Sequence, residues 1–264
     1  MSGIRHFLLA LQFFTRVPVT GPLADWVGFS PQMLRASAAH LPGIGWVVGA
    51  VAALVFTGVG MGLPGVAGAL AAAVLSTVAT VMLTGAFHED GLADVADGLG
   101  GSARRERALE IMKDSRIGAF GAVALVLALG LKFALLAALA ARGLQSVAIA
   151  IVGAHVLSRL MPLFLIRWLP YVGDSGASKA KPLADAISGG ALLIAVVWTL
   201  PAVALLLLAH DAVHVGAAVL VALLAAGWMA RLFMRRLQGF TGDGLGATQQ
   251  VCELAIYLAL AWHA

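Results

Sequence analysis

Charge is what this chain has least of. Only 11% of its 264 residues are Asp, Glu, Lys or Arg, and 61% are hydrophobic; soluble domains carry about 25% charged residues. With a mean hydropathy of +0.97, a water-soluble domain is excluded and a polytopic membrane protein is expected. Cysteine is almost absent as well. Cys252 stands alone in an apolar stretch, so a disulfide framework and a thiolate metal site are both excluded, and the residue reads as a small core side chain. The histidines at 6, 40, 155, 210, 214 and 263 show no ligand spacing and are assigned no metal. The N-terminus, MSGIRHFLLALQFFTRVPV, has no long apolar run. Its run of about ten residues is shorter than the roughly 20 a span needs, and no small-residue cleavage site follows. It is read as an interfacial or partly buried helix, not a signal peptide. The formal charge of +4 is attributed to membrane topology, and no nucleic-acid partner is expected.

What is present is mostly Ala, Leu, Val and Gly, small residues that let membrane helices approach closely while each helix satisfies its own backbone. The expected fold is an all-α bundle forming one integral-membrane catalytic domain over 1–264. About seven spans are expected, at 43–63, 64–87, 117–141, 144–169, 189–210, 212–234 and 245–263. Pro64 and the pair His210-Asp211 mark tight turns, so their flanking helices are expected as antiparallel neighbours. Of the 17 basic residues, all but Lys132, Arg142 and Arg159 fall at one side of this layout. By the positive-inside rule that side is cytoplasmic and the C-terminus is outside. The polar loops share that side and can converge on one site. Membrane lipid is an expected partner, and homo-oligomerisation stays open.

The densest polar block lies between the second and third spans, TGAFHEDGLADVADGLGGSARRERALEIMKDSRIGAFG. Asp90, Asp94 and Asp97 are spaced i, i+4, i+7, which on a helix continuing from span two places them within about 60° of one another. Like charges so spaced repel, and oxygen ligands without Cys or His favour magnesium over zinc. A solvated acidic face is the bland alternative. Glu89 stands off the stripe as a further ligand or a base. Ser102 is expected to cap a cytoplasmic amphipathic helix over 103–113, whose arginines also fit a topogenic charge run. Lys113, Asp114, Ser115 and Arg116 sit at the mouth of span three. A lysine and an arginine beside magnesium suit phosphoryl transfer, where charge grows on phosphate oxygens. At the far end, Thr241-Gly242-Asp243-Gly244-Leu245 echoes the Asp-Gly-Leu at Asp90 and forms a second acidic corner. Glu253 and Arg159 are intramembrane ionisable groups, each either functional or structural, with Arg159 a candidate partner of Glu253. The Gly/Ser-rich loop around Lys179 reads as a phosphate clamp or a topogenic loop.

The chain resembles the cobalamin synthase (adenosylcobinamide-GDP ribazoletransferase) family over nearly its full length. The matching stretches are Phe14-Thr15-Arg16-Val17-Pro18, Pro42-Gly43-Ile44-Gly45, the run His88 to Gly98, the run Arg107 to Gly118, and Thr241-Gly242-Asp243. The resemblance implies a multi-pass bacterial inner-membrane enzyme, Mg2+-dependent, with its active site facing the cytoplasm. It would join adenosylcobinamide-GDP to α-ribazole or α-ribazole 5′-phosphate through the acceptor's 5′-hydroxyl, releasing GMP. Asp90, Asp94, Asp97 and Asp243 would hold metal, with Glu89, Asp94, Lys113 and Arg116 catalytic. Arg16, Asp114, Ser115, Arg159, Lys179, Thr241 and Gly242 would bind substrate. Two flanks depart from the family's pattern: Gln238 stands where Gly is expected, and Ala86-Phe87 replaces Gly-Leu. A CDP-alcohol phosphatidyltransferase relative and a small transporter are the alternatives. The first lacks its Asp-Gly-x-x-Ala-Arg signature, because Asp94 follows Ala93, and the second wants acids at mid-membrane.

Overall fold

The computed structural model describes residues 2–173 and 187–262. The expected phosphate clamp at Lys179 lies outside the described residues. The N-terminal arm folds as α1 (Ser2–Phe14), α2 (Pro22–Val27) and α3 (Pro31–Ser37), the last started by Ser30, whose hydroxyl accepts from the Met33 N–H at 3.1 Å. Leu9, Ala10 and Phe14 bury one side of α1, as expected of a helix lying against the bundle. Arg5 Nε donates to the Val27 carbonyl at 3.0 Å, tying α1 to the end of α2. A 3-10 turn at Ala38–His40 leads from α3 into α4 (Leu41–Gly62).

The rest is helical: α5 (Gly65–Thr84), α6 (Phe87–Gly101), α7 (Arg105–Ile111), α8 (Ala119–Ala140), α9 (Leu144–Trp168), α10 (Gly189–Leu207), α11 (Ala212–Leu237) and α12 (Gly242–Ala261). Among the described residues 6 helical stretches are long and apolar enough to cross a membrane, the first running from Pro31 to Gly62. The expected seventh, α12, is different in kind. Gln249, Gln250 and Glu253 lower its hydropathy, and all three are buried because α6, α8, α9 and α11 surround it. A helix of this length reaches about 30 Å, so α12 is the bundle's polar axis. Cys252 is buried on it, as the core reading requires.

Helices α4 and α9 pack closely. A Cβ on Gly45 would lie 2.5 Å from the His155 carbonyl oxygen, and one on Gly49 would lie 2.9 Å from Val152 Cα. The small residues at i and i+4 therefore bring two backbones into contact, the membrane form of close packing. The turn at Pro64 does make α4 and α5 neighbours. The turn at His210-Asp211 does not do the same for its helices. Here α10 leans on α9 and α4, while α11 packs along α12.

Two local expectations are corrected. The acidic helix is not a continuation of α5, because Gly85 and Ala86 both adopt left-handed backbone (φ 73° and 61°) and α6 starts afresh at Phe87. Ser102 does not cap the amphipathic helix; it ends α6, and Arg104 precedes the shorter α7. Ala86 and Gln238, both at φ 61°, are the non-glycine residues with positive φ among the described residues. They are also the positions where the sequence departs from glycine. Left-handed backbone costs an L-residue about 1–2 kcal/mol, and glycine returns roughly 0.4–1 kcal/mol of that through its looser unfolded state. Ala86→Gly and Gln238→Gly should each raise the melting temperature in detergent by about 1–3 °C. Unchanged or lower melting in both would contradict the strain.

Candidate active site at the acidic corner

The site forms where α6 passes the start of α12. A Cβ on Gly91 would sit 2.7 Å from the Asp243 carbonyl oxygen, so the two backbones touch and bring Asp90 and Asp94 beside Asp243. Thr241 is the buried N-cap of α12, its hydroxyl accepting from the Gly244 N–H at 3.1 Å. It holds Asp243 in the first helical turn. The two acidic corners read from the sequence are thus one corner in space.

Asp94 is half-buried, and burial, then Asp243, Asp90 and Asp97, raise its carboxyl to about 7. Asp243 is raised to about 6 by burial and by Asp90. Unlike them, Asp97 already has partners. It is 7% exposed, and its two oxygens accept from the backbone N–H groups of Gly118 at 2.7 Å and Gly121 at 2.8 Å, at the N-terminus of α8. A carboxylate there satisfies orphan amides and the helix dipole, so Asp97 fastens α8 to the corner. Glu89 has one oxygen accepting from Gln250 Nε2 at 3.2 Å, and its other oxygen is buried with no partner among the described residues.

The basic side of the expected site lies in the exposed segment between α7 and α8. Asp114 takes Arg116 in a two-pronged pair, Nε to Oδ1 at 2.9 Å and Nη2 to Oδ2 at 2.6 Å. These bonds hold the Asp114 carboxyl down at about 2. Lys113 and Ser115 are exposed beside the pair. Arg16 is exposed too, and a Cβ on Gly85 would meet its Nε at 2.7 Å, so its guanidinium lies over the break before α6. Loops from three further parts of the chain meet at this end. Arg105 Nε donates to the Leu237 carbonyl at 2.6 Å, Arg236 Nη2 donates to the Leu99 and Ser102 carbonyls at 3.0 and 2.7 Å, and Val172 N–H donates to Phe240 O at 2.9 Å. Part of the arginine cluster is therefore helix C-capping.

Arg159 is not at the corner surface. It is 2% exposed on α9, and Nη1 lies 3.0 Å from both His155 Nδ1 and the His155 carbonyl oxygen. Glu253 pairs instead with Lys132, Oε1 to Nζ at 2.7 Å, with His155 Nδ1 at 3.4 Å. Gln249 Nε2 donates to Glu253 Oε2 at 2.7 Å and to Ser158 Oγ at 2.9 Å, and Gln250 Nε2 donates to Gln249 Oε1 at 3.1 Å. A buried polar chain thus runs from Glu89 down α12 into the bundle. Its members Gln249, Lys132 and His155 were missed as a group. The available signal was Gln249 four residues before Glu253, with one lone lysine in span three.

The donor set fits a hard divalent cation: Asp90, Asp94 and Asp243 offer only oxygen, and their mutual repulsion needs a counter-charge. Among the described residues no three His, Cys, Asp or Glu side chains converge to enclose a metal unaided. Magnesium seldom needs that, since it takes one or two carboxylates and completes its shell with water and substrate phosphate.

Fold and site together define a multi-pass helical membrane protein with an acidic corner, Asp90, Asp94 and Asp243, at one end of its bundle. The chain belongs to the cobalamin-5-phosphate synthase family, whose model matches residues 6–261. It is 58% identical over 272 residues to the adenosylcobinamide-GDP ribazoletransferase of Polaromonas sp. (strain JS666), covering 98% of this chain and 96% of the relative. Enzymes of the same name from Polaromonas naphthalenivorans and Albidiferax ferrireducens are 60% and 59% identical, covering 99% and 98% of both chains respectively. No solved structure matches. The chain is a transferase of cobalamin biosynthesis.

Proposed function

We propose that this chain transfers the adenosylcobinamide phosphate of adenosylcobinamide-GDP to α-ribazole or its 5′-phosphate, with Mg2+, at the cytoplasmic face of a bacterial inner membrane. The observation that carries it is the meeting of Asp90 and Asp94 with Asp243 across Gly91, in a chain about 60% identical to ribazoletransferases over their whole length. The clustering of exposed Lys113 and Arg116 with that corner's loops supports the cytoplasmic orientation.

Asp90, Asp94 and Asp243 would hold the magnesium, which supplies charge neutralisation for a bound diphosphate. Around it the chain's own groups do the remaining work. Arg116 can exchange its Asp114 partner for a phosphate oxygen, because both are solvent-exposed and carboxylate and phosphate match the guanidinium fork alike. Lys113 and Arg16 add cations at the rim, and Thr241, through its cap, keeps Asp243 in place. Glu89, with one oxygen held by Gln250 and the other without a partner among the described residues, would accept the proton of the attacking hydroxyl. The phosphorus next to cobinamide is attacked, its bond to the bridging oxygen breaks, and GMP leaves. The 5′-hydroxyl expected above does not suit an acceptor already phosphorylated there. A family named for a cobalamin 5-phosphate product instead favours a secondary ribose hydroxyl as nucleophile.

The test is GMP release by the purified chain in detergent with adenosylcobinamide-GDP, α-ribazole and Mg2+. Release that stops on chelation and returns with Mg2+ is expected. A folded sample forming no GMP sinks the proposal.

A further inference from the structure

Helices α10 and α11 diverge over α9, since α10 leans on α9 and α4 while α11 packs along α12. A groove of about 200 Å3 lies between α9 and α11, walled by Phe164, Leu165 and Trp168 on one side and Leu223, Gly227 and Ala230 on the other. Gly227 keeps it open: a Cβ there would meet nothing within 4 Å. Both helices are long and apolar enough to cross a membrane, so the groove opens to hydrocarbon. Counted from Ala212 at the start of α11, the roughly 20 residues that cross a hydrocarbon core end at Arg231. Gly227 then lies about 6 Å inside that boundary. Trp168 is 69% exposed and stacks on Phe164 at 5.2 Å and 7°, an aromatic of the kind that sits at headgroup level. The groove is at the same end of the bundle as the acidic corner, because Arg236 reaches the Leu99 and Ser102 carbonyls of α6 and its cap.

We propose that this groove seats one acyl chain of an anionic glycerophospholipid, whose phosphate is held by Arg231 and Arg235. Leu223, Gly227 and Arg231 are spaced i, i+4, i+8 on α11, so the arginine stands one turn beyond the open glycine and on its side of the helix. Arg231 and Arg235 are exposed, and their side chains have no ion-pair partner among the described residues. A void beside hydrocarbon forfeits dispersion contacts, and an apolar cavity of about 150 Å3 already takes a benzene-sized ligand. A length of acyl chain therefore fills this one. The guanidinium fork matches a phosphate, and each basic side chain near the headgroups strengthens binding of an anionic lipid about fivefold. A zwitterionic lipid would bring its own cation to the arginines. A second copy of the chain fits less well, because a twofold contact along α11 sets Arg231 and Arg235 against their own counterparts.

The test is native mass spectrometry of the delipidated full chain in detergent, with phosphatidylglycerol and phosphatidylcholine of the same acyl chains as probes. One phosphatidylglycerol per chain should be retained, at least about tenfold in preference to phosphatidylcholine. Arg231→Gln should cut its retention about fivefold. Gly227→Leu, which fills the groove, should cut retention of both lipids at least about tenfold. Arg107→Gln removes the same charge from exposed α7 and should leave retention unchanged. Melting curves show that each variant is folded and read the same site: phosphatidylglycerol should raise the wild-type midpoint by about 3–6 °C and that of Gly227→Leu by less than about 1 °C. Equal retention of the two lipids, full retention by folded Gly227→Leu, or an equal loss in Arg107→Gln overturns the assignment. So does a wild-type dimer that holds no lipid and that Gly227→Leu disperses, which would give the groove to a second copy. None of these readouts uses turnover, so the lipid seat stands or falls apart from the transferase function.

Discussion

Replacing Asp94 with Asn should slow GMP release about a hundred- to a thousandfold, while the metal-free protein melts higher at pH 8. Both effects come from one cause. Asp94 stands among Asp243, Asp90 and Asp97, so its charge is unfavourable in the empty fold and useful only with a counter-ion. Its carboxyl is raised from 3.8 to about 7. A raised acid binds more protons folded than unfolded, so stability falls as pH climbs from about 4 to about 7 and stays low above that. Asp243, raised to about 6, acts with the same sign. Asparagine removes the Asp94 penalty at pH 8 and changes little near pH 4. Since Asp94 is half exposed, screening keeps the gain small, on the order of 2–4 °C. The check is a pair of melting curves in EDTA at pH 8 and pH 4.5, with and without added Mg2+. Magnesium should stabilise wild type more than Asp94→Asn. A variant that melts lower at pH 8, or keeps its turnover, would remove Asp94 from the centre of the site.

Much of this was visible in the residues because membrane chains spell out their layout. The apolar runs gave α4, α5, α8, α9, α10 and α11 to within a few residues, since a span has to be long and greasy. The three basic residues that broke the charge rule turn out to have structural partners. Lys132 pairs with Glu253, Arg159 with His155, and Arg142 donates to the Leu260, Ala261 and Trp262 carbonyls at 2.6, 3.0 and 3.1 Å, capping α12. The acidic corner was legible as two Asp-Gly-Leu stretches because glycine beside aspartate allows helices to touch there. What stayed hidden depends on direction. The break at Gly85-Ala86 looked like helix, since alanine is a helix former and nothing local announces a left-handed residue. The role of Asp97 was hidden for a related reason: its i+7 spacing matched its neighbours, but its partners are amides 21 and 24 residues away.

Glu253→Leu should be the most destabilising change in the bundle, at about 3–5 kcal/mol, a drop on the order of 6–20 °C in melting temperature. Glu253 is 1% exposed and is the acid facing Lys132, His155 and Arg159, so leucine leaves a buried ammonium without a counter-charge. Lys132→Met should cost less, because Glu253 keeps His155 at 3.4 Å and the Gln249 amide at 2.7 Å. The double variant should recover much of the loss, since a removed pair is cheaper than a broken one. Recovery of stability should not restore turnover in full. Glu253 anchors Gln249, Gln249 accepts from Gln250, and Gln250 holds Glu89 at the corner. Without its anchor that chain can turn, and Glu89 loses the Gln250 contact that orients it. Melting curves of the three variants, read beside their kcat for GMP release, check both halves. Equal losses in the two single variants would mean the lysine and the glutamate matter only to each other, and the polar axis would then end at the pair instead of reaching the site.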